Sequence, residues 1–202
     1  MKPNTIVSYY PGAGGHRYLR WNMGAEFNSP GVTYDSTILK GIRTDSYMLD
    51  EVQPIDGMLT THCVNIKTIR SRYPTANVVY LDAEFSQCLC REWMLAGNGI
   101  YAKSVPDQEA THQLVDSAFN TIVWHSKYYQ QYPLDLDSGV LVVDIATDST
   151  EFGAVMRDEF TLCQSDIFNI AWRAYQEFGD DAPIIDIFDA SAEANKLADL
   201  AP

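Results

Sequence analysis

The sequence predicts an α/β fold in which a mainly parallel central sheet is flanked by helices. Short apolar runs alternate along the chain with helical patterns, which is typical of a parallel sheet covered by helices. The first of these runs leads directly into a glycine-rich loop and then a helical pattern, the order found in mononucleotide-binding folds. With 202 residues and 46% hydrophobic content, the chain is long enough for one packed core. We therefore expect a single α/β domain over residues 1–202.

The elements are predicted from local periodicity and turn signals. Strands are expected at 6–10, 57–61, 77–81 and 140–145, because each run is short, apolar and followed by polar or small residues. Helices are expected at 16–26, 65–72, 84–96, 107–131 and 151–177, the last interrupted near Thr161. Residues 28–56, which include Pro30-Gly31, are interpreted as an insertion or lid, and 189–202 as a C-terminal surface helix.

Charge and cysteine content restrict the class of protein. A formal charge of −13 argues against nucleic-acid binding and against binding to anionic membranes, since both need basic surface. No segment reaches the length of a membrane span, and the N-terminus lacks an apolar signal region, so we expect a cytoplasmic protein. The four cysteines lack the paired spacing of a zinc site and are interpreted as reduced and structural: Cys63, Cys88, Cys90 and Cys163.

The glycine-rich loop is the first candidate binding site. Glycines after a strand allow successive backbone N–H groups to approach an anion at the positive end of the next helix. The loop lacks the Lys and hydroxyl of a standard P-loop, which disfavours an ordinary ATPase. A plain tight turn is the alternative interpretation. The proposed phosphate-binding residues are Pro11, Gly12, Ala13, Gly14, Gly15, His16 and Arg17.

A second segment carries a family resemblance. The chain reads Thr60-Thr61-His62 after the second predicted strand and Pro74-Thr75-Ala76-Asn77-Val78-Val79-Tyr80 through the third. With Tyr10-Pro11-Gly12-Ala13-Gly14-Gly15-His16, these runs resemble the core signatures of sulfotransferases that use 3′-phosphoadenosine 5′-phosphosulfate (PAPS). Those signatures read approximately Tyr-Pro-Lys-Ser-Gly-Thr-Thr, Lys-Thr-His and Pro-x-Ala-Lys-Ile-Ile-Tyr. The chain is similar to a short, divergent form of this P-loop class, of the kind found in bacteriophages, which would place it in the host cytoplasm.

The resemblance implies a reaction and a set of site residues. PAPS would be the donor, with no metal required, and its phosphosulfate would lie on the loop backbone. His62 would be the catalytic base that takes a proton from a hydroxyl or amine acceptor, a role suited to a histidine titrating near neutrality. A hydrogen-bonded structural histidine is the alternative for His62. Ser86 and Arg91 would stand in for the family's 3′-phosphate ligands.

The chain also departs from the family pattern. The loop Lys of the family aligns with Gly12, and Asp82-Ala83-Glu84 occupies the position of its 3′-phosphate Arg. The leading hypothesis is a sulfotransferase-like protein that transfers a sulfuryl group to an unknown small-molecule or glycan acceptor, with a donor site that has degenerated in part. The second hypothesis is a non-catalytic phage or virion-associated binding protein on the same scaffold, with a protein partner or a second copy. The third, a nucleotide kinase-like enzyme, is disfavoured by the missing Lys-Ser/Thr.

Two further clusters are interpreted as structural. The aromatic residues could line an acceptor pocket, but helix packing is the favoured interpretation for Tyr101, Trp124, Tyr128, Tyr129 and Tyr132. Four carboxylates that flank the last strand lack the alternation of a calcium loop and are expected to be solvated loop ends: Asp135, Asp137, Asp144 and Asp148.

Overall fold

The computed structural model describes residues 3–22, 57–96, 108–184, 186–187 and 189. The elements are β1 (Thr5–Tyr9), α1 (Gly15–Asn22), β2 (Met58–Thr61), α2 (Ile66–Arg72), β3 (Asn77–Asp82), α3 (Phe85–Leu95), α4 (Gln108–Gln131), β4 (Val140–Asp144), α5 (Glu151–Leu162) and α6 (Asp166–Phe178). The predicted lid at 28–56, residues 23–26 of the first predicted helix, Tyr101 and residues 190–202 lie outside the described part of the chain.

The four strands form one parallel sheet in the order β2-β1-β3-β4. In its centre, Tyr9 of β1 pairs with Leu81 of β3, and Ser8 pairs with Thr61 of β2. At the β3–β4 ladder, Asp82 lies opposite Asp144. This sheet with its flanking helices confirms the predicted α/β class.

The strand order creates a switch point between β1 and β3. The chain leaves β1 toward β2 on one side, whereas it leaves β3 toward β4 on the other. Where successive connections diverge in this way, a crevice opens at the carboxyl ends of the strands, and ligands of doubly wound sheets bind there. The loop after β1 therefore lies at the position that such folds use for binding.

Each face of the sheet carries its own apolar cluster. On one face, Val7 and Tyr9 pack with Phe152 and Met156 of α5. On the other face, Ile6 and Leu59 are among the residues that pack with Ile66 and Ile69 of α2. Alternation along β1 thus sends successive side chains into two cores, which explains why its sequence is apolar or small almost throughout.

The chain divides into two compact units. The first comprises residues 1–88 and 131–162, and the second comprises 89–130 and 163–202. In the second unit, the indole N–H of Trp93 donates to Ser117 Oγ at 3.2 Å, and the Trp93 ring lies 6.0 Å from that of Phe168. The expectation of a single domain stays a prediction, which calorimetry can test.

The helices after β4 follow the predicted interruption. α5 ends at Leu162 and α6 begins at Asp166, where the Ser165 side chain accepts a hydrogen bond from the Phe168 N–H and so caps the new helix. Within the ranges given above, the structure contains no helix with both the length and the apolar character needed to cross a bilayer.

Candidate functional site

The loop after β1 begins with a tight turn. The Ala13 N–H donates to the Tyr10 carbonyl at 3.0 Å, with Pro11 and Gly12 between them. Gly12 has φ +86°, and proline followed by a glycine at positive φ is the sequence signature of a type II turn. Pro11, Gly12 and Ala13 are buried. The turn redirects the chain from β1 toward α1.

Close packing explains the loop glycines. A Cβ atom at Gly12 would overlap the backbone carbonyl of Cys88, and one at Gly15 would overlap the ring of Tyr9. Gly14, with φ +88°, lies against Met156, whose sulfur would be 2.5 Å from a Cβ atom there. The glycines are therefore required by packing within the protein, as the plain-turn interpretation expects, whether or not an anion binds.

The loop also delivers the positive end of a helix to the crevice. The first hydrogen bond of α1 runs from the Tyr18 N–H to the Gly14 carbonyl at 2.9 Å. The N–H groups of Gly15, His16 and Arg17 precede that bond, and such groups make a helix N-terminus electrostatically favourable for an anion. His16 is half-buried at this end of the helix.

His62 lies next to the loop through an aromatic contact. Its ring meets the ring of Tyr9 edge-on, with centroids 4.8 Å apart and planes at 72°. Since Tyr9 also packs against Gly15, the structure brings His62 and the start of α1 to the same aromatic ring.

Hydrogen bonds fix the backbone of Cys63, the residue that follows His62. The Cys63 N–H donates to Thr61 Oγ1 at 3.1 Å, and Ser8 Oγ donates to the Cys63 carbonyl at 2.7 Å. Burial raises the pKa of the Cys63 thiol, so it stays protonated at neutral pH.

Arg17, one of the residues proposed from the sequence to bind phosphate, is paired with a carboxylate. Its guanidinium lies 2.5 Å from Glu159 Oε1 of α5, and the two side chains are 25% and 20% exposed. Arg157, two residues earlier on α5, donates to the carbonyls of Ile145 and Asp148 at 2.6 and 2.7 Å. Both guanidinium groups thus take part in contacts within the first unit.

The two residues expected at the 3′-phosphate differ in their surroundings. The Ser86 hydroxyl donates to the Glu84 carboxylate. Arg91, 3% exposed, belongs to the second unit. The Glu84 carboxylate beside the Ser86 hydroxyl adds negative charge where a phosphate would bind, so it opposes the binding of that phosphate.

The carboxyl ends of β3 and β4 are acidic. Asp82 and Asp144 face each other in the ladder, and partial burial together with the Asp144 charge raises the pKa of Asp82. Asp144 accepts from the Ala146 N–H at 2.9 Å, and Asp148 accepts from the Thr150 N–H at 3.1 Å. These two carboxylates therefore stabilise the turns that lead into α5.

The other two acidic residues form ion pairs with α2. Lys67 lies 2.8 Å from Asp135, and Arg70 donates to both oxygens of Asp137 at 2.7 and 3.1 Å. The guanidinium of Arg70 lowers the pKa of Asp137. Across the described ranges, no group of three or more His, Cys, Asp or Glu side chains is arranged to hold a metal ion.

Sequence reasoning missed one important participant, Glu159. It lies on α5, far from the loop in sequence, and nothing in the local pattern of an amphipathic helix marks one carboxylate as the partner of Arg17. Only the packing of α5 beside α1 brings the two charges together.

In comparisons with known proteins, no family model, no curated protein and no solved structure matched this chain. The resemblance to PAPS-dependent sulfotransferases therefore stays a prediction.

Proposed function

We propose that this chain is a non-catalytic binding protein on a sulfotransferase-like scaffold, which neither binds PAPS nor transfers its sulfuryl group. One observation carries the proposal: Arg17, the candidate phosphate-binding cation, is paired with Glu159. Ser86, the candidate 3′-phosphate ligand, donates to another carboxylate, that of Glu84.

The ion pair opposes donor binding energetically. Glu159 already contacts one end of the Arg17 guanidinium, so a phosphate that bound this cation would lie close to that carboxylate in a partly buried position. Removing one partner of a buried pair is costly because the other charge loses its compensation. Displacing Glu159 would therefore cost free energy that anion binding would have to supply.

Negative charge at the carboxyl ends of β3 and β4 also opposes donor binding. Asp82 and Asp144 end their strands beside each other, and Glu84 follows at the start of α3. The donor carries several negative charges, so carboxylates at this edge repel it, and the backbone N–H groups of the loop would have to overcome that repulsion.

Sulfuryl transfer is a second candidate, favoured by one specific arrangement. The ring of Tyr9 contacts His62 and also packs on Gly15, so a candidate base and a helix N-terminus lie on one aromatic side chain at the carboxyl ends of β1 and β2. In this candidate, His62 would accept the proton of the attacking hydroxyl, and the loop N–H groups would stabilise charge on the leaving phosphate.

A transfer assay separates the two candidates. The full chain is incubated with PAPS and a panel of phenols, alcohols, amines and neutral oligosaccharides, and 3′-phosphoadenosine 5′-phosphate (PAP) is quantified. The proposal predicts no PAP above the rate of uncatalysed hydrolysis. PAP formation that His62→Ala abolishes and His112→Ala preserves would establish transfer instead; His112 is a suitable control because it pairs with Asp189 in the second unit.

A further inference from the structure

The second unit contains a cavity along one face of α4. Its volume is about 450 Å³, and the described residues that line it are Ser117, Asn120, Thr121, Trp124 and His125. Their spacing of three, four, seven and eight residues from Ser117 places them on one stripe of the helix. The volume lies within the range of small-molecule binding sites.

Trp124 provides a fixed aromatic surface at this cavity. Its side chain is 52% exposed, although tryptophan is usually well buried. Its ring stacks on Tyr128, with centroids 5.9 Å apart and planes at 12°, and the buried His125 meets it edge-on at 4.7 Å. The two neighbours hold the indole in one orientation, so a ligand that stacks on it orders little of the protein.

The polar lining offers both hydrogen-bond donors and acceptors. Ser117 Oγ accepts from the Trp93 indole at 3.2 Å, which leaves its own proton to donate. The Thr121 hydroxyl donates to the Ser117 carbonyl at 2.9 Å, which leaves its lone pairs to accept. Asn120 is exposed, and its amide, which can donate and accept, makes no side-chain hydrogen bond to any described residue.

These features define the ligand by its chemistry. The described lining contains no carboxylate, lysine or arginine, so it suits a neutral ligand. Three of the five lining side chains are hydroxyls or an amide, which suit a ligand with many hydroxyl groups more than an apolar peptide. An aromatic face next to such groups matches a sugar ring, which has an apolar C–H face and a polar rim.

We propose that this face of α4 is a saccharide-binding site, in which a neutral sugar ring stacks on Trp124 and its hydroxyls bond to Asn120, Thr121 and Ser117. The site lies within the second unit and does not depend on the proposed function of the loop after β1. The packing role expected for Trp124 from the sequence accounts for its contact with Tyr128 but not for its exposure.

The test is a printed array of defined neutral oligosaccharides probed with the full chain, followed by calorimetric titration of the strongest binder. Trp124→Ala is expected to weaken binding about tenfold or more, as is usual for an aromatic residue at the centre of a contact. Trp124→Phe should retain part of the affinity, and Asn120→Ala should weaken it several-fold. Phe178→Ala is the matched control, since Phe178 is 51% exposed in the same unit and does not line the cavity.

Three results would overturn the proposal. The array could show no neutral saccharide bound, Trp124→Ala could bind as well as the unmodified chain, or Phe178→Ala could lose as much affinity as Trp124→Ala. Because Trp124 is more than half exposed, its replacement should leave the fold intact, which circular dichroism of each variant verifies.

Discussion

At the scale of single residues, Arg17 illustrates how one distant carboxylate changes what a glycine-rich loop can do. The sequence places this cation directly after the loop, where it would suit a phosphate. In the folded chain its guanidinium lies 2.5 Å from Glu159 Oε1 and is mostly shielded from water. The residue then contributes to the packing of α1 beside α5, and an anion would have to compete with Glu159 for it.

Gly12→Ala is expected to destabilise the fold strongly. The substitution adds a Cβ atom at φ +86° and presses it into the Cys88 carbonyl, so we expect the free energy of unfolding to fall by about 2–4 kcal/mol. Gly179→Ala is the control, because Gly179 has φ +71° with nothing within 4 Å of a Cβ atom. Guanidinium denaturation of both variants measures the difference, and equal losses would show that the Cys88 contact costs little.

Asp82→Asn is expected to stabilise the protein at neutral pH. The pKa of Asp82 is raised in the folded state, so ionisation above the unfolded value of about 3.9 disfavours folding. The gain should be less than about 1 kcal/mol, because Asp82 is only partly shielded from water, and it should vanish below that pH.

Asp137→Asn is the control for Asp82→Asn, and we expect it to lower the free energy of unfolding at neutral pH. Arg70 lowers the pKa of Asp137, so its charge stabilises the folded state at neutral pH, and that contribution is lost as the pH falls through the folded pKa. Denaturation curves at pH 7 and pH 3 distinguish the two substitutions. A loss of stability for Asp82→Asn at pH 7 would contradict the assigned repulsion from Asp144.

At the scale of elements, the N-terminus of α2 depends on a single cap. Asn65 Oδ1 accepts from the Thr68 N–H and from its hydroxyl, each at 3.0 Å, while its amide donates to the Pro133 carbonyl at 3.3 Å. Asn65→Ala should lower the free energy of unfolding by about 1 kcal/mol. Asn65→Asp keeps the acceptor and should cost less in the same denaturation experiment; an equal cost would assign the effect to the bond to Pro133.

Strands and helices were located correctly where the hydrophobic pattern of the sequence agrees with the burial of the side chains in the structure. The apolar run of β1 and the helical pattern of α4 were located from sequence to within a residue. β4 shows the limit: its sequence Val-Leu-Val-Val-Asp is typical of a strand covered on both faces, yet Leu141 is 60% exposed and Val142 is 43% exposed. The periodicity of a strand specifies its conformation but not whether it lies at the edge of a sheet.

At the scale of the whole molecule, the two units raise the question of cooperativity. The boundary between them falls inside α3, after Cys88, so one continuous helix contributes residues to both. We therefore expect a single heat-absorption peak in scanning calorimetry, with equal calorimetric and van't Hoff enthalpies. Two resolved peaks would contradict the prediction of a single domain.

The candidate site was predictable only in part. The order of strand, glycine-rich loop and helix follows from local sequence, as does the position of His62 at the end of β2. The partners of Arg17 and Ser86 were not predicted: Glu84 is near Ser86 in sequence but its carboxylate could equally face solvent, and Glu159 reaches Arg17 only through tertiary packing. The pairing of Arg17 with Glu159 is therefore visible only in the folded chain.

The measurement that tests the central claim most directly is calorimetric titration of the full chain with PAP, with ATP as the comparison. Because Arg17 and Ser86 are engaged by carboxylates, we predict no binding, meaning a dissociation constant weaker than about 1 mM for both nucleotides. Micromolar binding of PAP but not ATP, lost in Arg17→Ala, would contradict the account and restore the loop as a donor site.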